Sequence, residues 1–200
     1  PSITERVLRL DGDMAAHLVD ADLLDRHARL FGSALAAAPL NNRGATYASI
    51  KTARATAEER LELASLVEAY QALKRRHSVV EFADQMAFAA RLATEVPSVS
   101  AALRAQFSVV LLDEYQDTSS AQARLLSGLF SGPSVAEGLG HAVTAVGDPF
   151  QAIYGWRGAA ASNILEFAEA FPRADGPARS FALTVNRRSG QRILDVANEI

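Results

Sequence analysis

One segment constrains the fold of this chain more than any other. Four branched apolar residues, Val109 to Leu112, run directly into the polar residues 113–117. Such a run is typical of a strand buried on both faces, as in a parallel sheet covered by helices. The carboxylates then lie at the C-terminal edge of the strand, where open α/β sheets bind nucleotides. The segment therefore predicts an α/β domain. The alternative is an ordinary strand end followed by a solvated acidic turn.

The two carboxylates that follow the apolar run are suited to the hydrolysis of a nucleoside triphosphate. Asp113 can hold Mg²⁺ through bound water, and Glu114 can take a proton from the attacking water. Hydrolysis of a triphosphate needs both tasks. The pair therefore predicts part of a motor ATPase that uses ATP and Mg²⁺.

The composition is that of a globular chain, because 49 % of the 200 residues are hydrophobic and can form a core. There is no cysteine, which excludes disulfides and thiolate metal sites, and the four histidines lack zinc-like spacing. Mg²⁺ is therefore the only metal that we expect. The sequence has no apolar stretch of about 18 residues and no basic, apolar leader, so we expect a cytoplasmic protein that does not cross a membrane.

A net charge of −3 means that the chain as a whole repels phosphate. Binding of nucleic acid would therefore depend on local basic patches and on stacking. Basic side chains of the N-terminal half are candidates for phosphate contacts, although single charges on helices usually form a solvated face. These candidates are Arg26, Arg29, Arg43, Lys51, Arg54, Lys74, Arg75 and Arg76.

The N-terminal half is rich in alanine and is predicted to be helical, with turns at residues 11–13 and 39–44. Thr56 and Glu59 have the form of a capping box, so the clearest helix is predicted to start at Thr56. A second helix is predicted at about residues 80–93. The apolar stripe of the first helix comprises Leu63, Leu66, Val67, Tyr70 and Leu73, and that of the second Phe82, Met86, Ala89 and Ala90.

Strands and helices alternate in the C-terminal half. The predicted strands are 107–113, 142–147 and 181–185, and the predicted helices follow Thr118, Ser162 and Ser189. Ser119 and Gln122 have the form of a capping box for the first of these helices. Asp117 and Thr118 are thereby placed in the loop between strand and helix. This order of elements indicates βαβ units.

The second predicted strand runs into a glycine-rich loop, residues 147–159, that carries two aromatic rings. Tyr154 and Trp156 flank Gly155, and Arg157 follows, so two rings and a guanidinium can face a common groove. Stacking on such rings is worth roughly 1–3 kcal/mol per base and tolerates any sequence, which suits a protein that moves along single-stranded DNA. The alternative is that both rings belong to the core.

A third strand end, residues 183–189, contains Arg187 and Arg188. A guanidinium offers a fixed fork of donors to a phosphoryl group in transfer, and such an arginine contributes a rate factor of about 10³ to 10⁵ in related enzymes. Taken alone, the pair is more typical of a solvated strand end or helix start.

In this order and spacing, the three clusters resemble motifs II, III and IV of superfamily 1 DNA helicases of the UvrD, Rep and PcrA type. Those motifs read D-E-[FY]-Q-D-T, G-D-x-x-Q-[SA]-I-Y-x-[FW]-R-G-A and L-x-x-N-[YF]-R-S. Here they occupy residues 113–118, 147–159 and 183–189. The resemblance implies a partial RecA-like P-loop NTPase domain in residues 79–200, and a helical insert that touches DNA in residues 1–78.

The resemblance also implies a role for each residue of the nucleotide site. Asp113 matches the Mg²⁺ ligand, Glu114 the residue that activates the attacking water, and Gln151 the sensor of the γ-phosphate. Arg188 matches the arginine finger. Gln116 matches the glutamine that couples the nucleotide site to the DNA groove.

Contacts with single-stranded DNA are implied for Tyr154, Trp156 and Arg157. The family moves 3′ to 5′ on single-stranded DNA, and we expect an ATP-dependent helicase that acts at single-strand/double-strand junctions in repair or recombination. A nuclease domain or a partner helicase subunit would be a further partner. The alternative is an inactive scaffold subunit of a helicase-nuclease complex. A third hypothesis is a P-loop ATPase that does not bind DNA.

One position departs from the family pattern, because Arg187 stands where several members have an aromatic ring that stacks on adenine. A guanidinium can also stack on a base, so Arg187 stays a candidate for nucleotide binding. Together with Arg188 it is similar to the actinobacterial helicase-nuclease branch. The 200 residues contain no G-x-x-x-x-G-K-[ST] loop. We therefore expect an internal fragment that does not hydrolyse ATP by itself.

Overall fold

The N-terminal half consists of helices, and polar side chains cap the first turns of the first two of them. The structure of the chain is a computed structural model that describes residues 2–42 and 44–199. Ser2 and Glu5 form a capping box at the first helix, and the Asp20 carboxylate accepts a backbone hydrogen bond at the second. The helices are α1 (Ile3–His17), α2 (Ala21–Ala36), α3 (Ala48–His77), α4 (Phe82–Glu95) and α5 (Pro97–Gln106).

Two sequence predictions for these helices are wrong. The turn predicted at residues 11–13 lies inside α1, because the buried Asp11 has two partners on α3. Helix α3 begins at Ala48, well before the predicted capping box. The Thr52 and Thr56 hydroxyls donate hydrogen bonds to carbonyls one turn earlier, so this threonine pattern lies within the helix and does not cap it.

The predicted apolar stripes of α3 and α4 are confirmed only in part. Val67 of α3 is fully buried, but Leu66 and Leu73 are about half exposed. In α4, Ala90 is buried, whereas Phe82 at the first turn is almost fully exposed. The buried faces of both helices are therefore narrower than their apolar patterns predict.

Two parallel strands, β1 (Val109–Leu112) and β2 (Ala142–Ala145), form the sheet of the described residues. The side chains of Val110 and Leu112 pack against the core. Leu111, on the opposite face, is 77 % exposed. The prediction of a strand buried on both faces is therefore wrong for this chain, because its helices cover one face of the sheet.

The helix between the two strands begins where the sequence predicts. This helix, α6 (Ser120–Phe130), starts after Ser119, whose hydroxyl accepts a hydrogen bond from Gln122 N, while the Gln122 side chain accepts one from Ser119 N. The C-terminal half also contains shorter elements. They are α7 (Ser162–Leu165), α8 (Phe167–Ala170), α9 (Gln191–Asn198) and the 3₁₀ turns Tyr115–Asp117, Val135–Glu137, Pro149–Gln151 and Gly155–Arg157.

The third predicted strand, residues 181–185, is wrong. This segment has no regular secondary structure and pairs with neither β1 nor β2. Its three apolar side chains, Phe181, Leu183 and Val185, are exposed. Alternating apolar residues form a strand only where a neighbouring strand supplies hydrogen bonds, and the two-stranded sheet does not reach this segment.

The core lies between α4, α6 and the covered face of the sheet, and it is rich in aromatic rings. Tyr115 meets the edge of Phe167 at 5.5 Å between ring centroids, and Phe167 stacks on Phe171 at 4.8 Å. Burial raises the pKa of the Tyr115 phenol to about 12. The fold is thus of the mixed α/β kind. Within the described residues no helix is long and apolar enough to span a bilayer.

Candidate functional site

The carboxyl ends of the two strands meet at one edge, as the sequence predicts. Val146 N donates a hydrogen bond to Leu112 O at 2.8 Å, and Tyr115 N donates one back to Val146 O at 3.0 Å. Residues 113 and 114 lie between these two hydrogen bonds, where the chain leaves β1. Asp113 and Glu114 therefore project from this edge, which we call the acidic edge, and both are exposed.

The backbone at Glu114 is held in the left-handed region, with φ 49° and ψ 40°. This conformation costs a residue with a side chain roughly 1–2 kcal/mol. Glu114 N donates a hydrogen bond to Asp113 Oδ1 at 3.0 Å, which helps to maintain the bend. Unfavourable backbone conformations of this kind are concentrated at functional sites. Here the bend turns the two carboxylates away from the core.

A buried glutamine joins the two strand ends. Gln116 is only 1 % exposed. Its Nε2 donates a hydrogen bond to Glu114 Oε2 at 2.7 Å, and its Oε1 accepts one from Asp148 N at 3.1 Å. A Cβ added to Gly147 would lie 2.4 Å from Gln116 Oε1, so the contact requires glycine at this position. Gln116 therefore connects the acidic edge with the loop after β2.

Asp148 orients the predicted γ-phosphate sensor, and sequence reasoning missed it as a site residue. Its Oδ2 accepts a hydrogen bond from Gln151 Nε2 at 2.8 Å, and its Oδ1 accepts one from Phe150 N at 2.9 Å. The available signal was an aspartate directly before Pro149, a common start of a helical turn. The Gln151 side chain is thereby held against Asp148, whose backbone N donates to Gln116.

The loop after this turn, residues 152–160, presents its aromatic rings to solvent and is called the aromatic loop. The centroids of the Tyr154 and Trp156 rings lie 6.3 Å apart, and the ring planes are inclined by 49°. Trp156 is 72 % exposed, so the alternative that both rings lie in the core is wrong for this residue. The Arg157 side chain lies outside the described residues. The accessible faces of the rings fit stacking on bases.

Polar contacts join this loop to the segment before α6. Ala160 N donates a hydrogen bond to Thr118 O at 2.9 Å. Asn163 Nδ2 donates to Thr118 O at 2.8 Å and to Thr118 Oγ1 at 3.0 Å. Asn163 was missed by sequence reasoning, because a lone asparagine in a short helix carries no distinctive pattern. The acidic segment, residues 113–118, is therefore connected with the chain around the aromatic loop at two points, Gln116 and Thr118.

The two arginines of the third cluster are not brought to the acidic edge. Asn186 Oδ1 accepts hydrogen bonds from Arg188 N and Ser189 N, which forms a tight turn before α9. Both Arg187 and Arg188 are exposed, and within residues 44–199 neither guanidinium forms an ion pair or a hydrogen bond. Their predicted contact with a nucleotide therefore stays a prediction.

The acidic edge fits a hydrated metal ion rather than a closed protein cage. Among the described residues no group of three or more histidine, aspartate or glutamate side chains is arranged to hold a metal ion. Mg²⁺ commonly binds through one or two carboxylates, water and phosphate oxygens. Asp113 is exposed and, among the described residues, a donor contacts only its Oδ1. Its other oxygen is available to a water molecule of such an ion.

Lys74 is not a phosphate contact, which corrects one candidate of the basic set. Its side chain is 6 % exposed, and its Nζ lies 2.5 Å from Asp11 Oδ2 and 2.8 Å from Asp84 Oδ2. Burial by itself would lower the pKa of Lys74, but the hydrogen bonds to Asp11 and Asp84 outweigh it and raise the pKa. Two exposed candidates, Arg29 and Arg54, pair with carboxylates one turn away. Arg43 lies outside the described residues.

Most of the chain matches a known protein family. Residues 11–172 match the UvrD/REP helicase N-terminal domain. The chain is 37 % identical over 138 residues to the ATP-dependent DNA helicase PcrA of Leuconostoc citreum, covering 69 % of this chain and 17 % of that protein. It is 35 % identical over 141 residues to the PcrA helicases of Staphylococcus epidermidis and Staphylococcus aureus, with the same two shares.

The match with the family extends over most of the chain, whereas the chain spans only 17 % of the length of these curated relatives. It includes the acidic edge, the buried glutamine and the aromatic loop, which lie within residues 11–172. The chain therefore belongs to the UvrD/REP helicase family, within its N-terminal domain.

Proposed function

We propose that this chain is the part of an ATP-dependent DNA helicase in which the nucleotide site and the contact with single-stranded DNA meet. The whole protein would move 3′ to 5′ on single-stranded DNA and act at junctions in repair or recombination. Residues 79–200 would form part of a RecA-like domain, and residues 1–78 a helical insert. The family match and the printed activity of the PcrA relatives support this proposal.

The observation that carries the proposal is the buried Gln116. One end of its amide binds Glu114 and the other binds the backbone of Asp148, only a few residues before the aromatic loop. A change at the acidic edge that moves Glu114 would therefore shift the loop as well. Coupling of this kind is what a motor needs between the state of its nucleotide and its hold on DNA.

The residues of the acidic edge would divide the work of hydrolysis. Asp113 would hold Mg²⁺ through water, and the ion would neutralise charge on the phosphates. Glu114 would accept a proton from the attacking water, and its bond to Gln116 would orient its carboxylate. Gln151 would contact the γ-phosphate, held in place by Asp148. Arg187 and Arg188 would approach the nucleotide only when bound ATP draws the segment after residue 185 toward the edge.

Tyr154, Trp156 and Arg157 would hold single-stranded DNA. The exposed rings offer stacking faces that tolerate any base, which suits a protein that moves along DNA irrespective of its sequence. The net charge of −3 also favours stacking over a general attraction to phosphate.

An inactive scaffold subunit of a helicase-nuclease complex is the second candidate. It is favoured by Arg187 and Arg188, whose guanidinium groups form no hydrogen bond or ion pair with Asp113 or Glu114 in the part of the chain that the structure describes. The strained backbone at Glu114 argues against it, because binding of DNA alone does not require this conformation. The two candidates differ in whether the whole protein turns over ATP.

The variant Glu114→Gln tests the proposed catalysis in the full-length protein. We expect ATP turnover to fall by about 10²- to 10⁴-fold, while ATP and DNA still bind, because the amide cannot accept the proton. Steady-state ATPase rates and equilibrium binding measure these two effects. The matched control is Glu68→Gln, an exposed carboxylate on α3, which should leave turnover unchanged. Equal turnover of Glu114→Gln and the wild type would exclude the proposed base.

The variant Trp156→Ala tests the proposed contact with DNA. Loss of one stacking ring should raise the Kd for oligothymidylate by about 5- to 150-fold, which corresponds to 1–3 kcal/mol. Fluorescence anisotropy of the labelled oligonucleotide measures this change. Phe82→Ala removes an exposed aromatic ring from α4 and serves as the control, with an unchanged Kd expected. If Trp156→Ala binds as tightly as the wild type, the stacking assignment fails.

A further inference from the structure

The end of α1 lies directly against the aromatic loop. Gly158 of this loop is buried and has φ +84°. A Cβ added to Gly158 would lie 3.1 Å from the Ala16 methyl group and 4.0 Å from His17 Nε2. The backbone of the loop therefore rests on the last turn of α1, two residues after the exposed Trp156. A larger side chain at position 16 would have to push the loop away.

The same end of α1 also contacts the segment that follows the acidic edge. His17 Nδ1 lies 3.3 Å from Ser120 Oγ, at the first turn of α6. Ser119 and Ala159 form an antiparallel bridge beside this contact. The end of α1 therefore lies where the two halves of the candidate site are joined.

Buried charges hold α1 in place at Asp11, about one and a half turns before Ala16. Asp11 is 1 % exposed and accepts hydrogen bonds from Gln71 Nε2 at 2.8 Å and Lys74 Nζ at 2.5 Å. Lys74 also donates to Asp84 on α4. A buried carboxylate is tolerated only while its partners remain in place, so α1 cannot slide or rotate against α3 and α4 without a large loss of stability.

The contacts of Asp11 with α3 and those of Ala16 with the loop are close enough along α1 to act as one rigid unit. Asp11 and Ala16 are five residues apart, which corresponds to about 7.5 Å along a helix. The helix continues without a break to His17, and Leu18 closes it in the left-handed conformation with hydrogen bonds to the carbonyls of Ala15 and Met14. A shift of α1 at Asp11 would therefore be transmitted to Ala16 and the loop.

We propose that α1 positions the aromatic loop for single-stranded DNA, with Ala16 and His17 as the positioning residues and the ion cluster of Asp11, Lys74 and Asp84 as their anchor. Neither positioning residue touches DNA or nucleotide. Ala16 sets the distance between α1 and Gly158, and thereby the place of Tyr154 and Trp156. This inference rests on the proposed binding of DNA by the loop.

The test is Ala16→Leu in the full-length protein, with DNA-stimulated ATP hydrolysis followed against oligothymidylate concentration. The KM for oligothymidylate should rise roughly tenfold, because the larger side chain displaces the loop. The kcat at saturating oligothymidylate should stay within about twofold of the wild type, and the KM for ATP should change far less than the KM for oligothymidylate, since Ala16 faces Gly158 of the loop. General damage to the fold would lower kcat and alter both KM values. Ala55→Leu, an exposed position on α3, is the matched control with unchanged constants.

A second variant, Ala16→Gly, decides the matter if Ala16→Leu does not yield folded protein. It removes the methyl group on which the loop rests, and it should raise the KM for oligothymidylate by about threefold with kcat unchanged. The positioning role would be overturned if the folded Ala16 variants had wild-type KM values while Trp156→Ala bound oligothymidylate more weakly than the wild type. The proposed function would then remain intact. An unaffected Trp156→Ala would instead overturn the DNA contact and this inference together.

Discussion

The two main groups of charged side chains in this protein are in opposite environments. Asp11, Lys74 and Asp84 are largely removed from solvent and hydrogen-bonded to one another. Asp113 and Glu114 are exposed, and Glu114 adopts a strained backbone conformation. The first group joins α1, α3 and α4, whereas the second projects from the end of β1.

This difference separates charges that stabilise the fold from charges that are available to a ligand. A buried charge needs its partners within the same chain, since it has lost its contact with water. The carboxylates at the sheet edge keep contact with water and can exchange it for a metal ion and phosphate. Four substitutions test this separation through the free energy of unfolding.

Lys74→Met should have the largest effect. Removal of the ammonium leaves Asp11 and Asp84 buried without their cation, so unfolding should become easier by about 3–5 kcal/mol. Denaturant titration measures the loss. Lys51→Met, an exposed lysine on α3, should change the free energy by no more than about 0.5 kcal/mol. Equal losses in the two variants would contradict a stabilising role for the cluster.

Tyr115 sharpens the comparison, because it is buried immediately after the exposed Glu114. Its pKa is raised to about 12 in the folded chain, against about 10 when unfolded. Its contribution to stability is therefore complete below pH of about 10 and is lost as the pH rises toward about 12, by about 2–3 kcal/mol in total. Denaturant titrations across this range should show a steeper decline for the wild type than for Tyr115→Phe. Parallel declines would exclude a neutral, buried phenol.

Ser119→Ala tests how firmly the end of the acidic segment is held. Loss of the hydroxyl leaves Gln122 N without its capping partner, which should cost about 1 kcal/mol. Ser127→Ala, within the same helix, should cost nothing, because alanine is the better helix former. Thermal denaturation compares the two variants. A larger loss for Ser127→Ala would mean that the capping box does not define the start of α6.

Glu114→Gly should have the smallest effect on stability. Glycine relieves the positive φ, but it removes the acceptor of the buried Gln116 Nε2 and has more freedom in the unfolded chain, so the net change should be no more than about 1 kcal/mol. ATP turnover of the full-length protein should be lost. If the variant were strongly destabilised, Glu114 would belong with the charges that hold the fold.

The sequence was most reliable where the signal is local. The Ser119 and Gln122 capping box and the ends of β1 and β2 lie close to their predicted places, since propensity and hydrogen bonds within a few residues decide them. The capping pattern at Thr56 failed, because a threonine inside a helix can bond to an earlier carbonyl instead.

Long-range contacts limited the prediction of the candidate site. Lys74 looked like any other basic residue on a helix, yet its two main partners are 63 and 10 residues away in the chain. The contact between Ala16 and Gly158 has no counterpart in the sequence pattern, since neither residue carries a chemical signal of its own. Such pairings depend on how the helices pack.

By itself, the sequence determined the chemical groups at the sheet edge, because an apolar strand that ends in Asp113 and Glu114 places those carboxylates at its carboxyl end. It also determined the aromatic character of the loop with Trp156. Only the tertiary structure decided which charges are buried, which face of β1 is open, and that Gln116 and α1 connect the edge with the loop. The physical reason is that burial and side-chain contact depend on residues far apart in the chain, whereas strand and loop chemistry depends on neighbours.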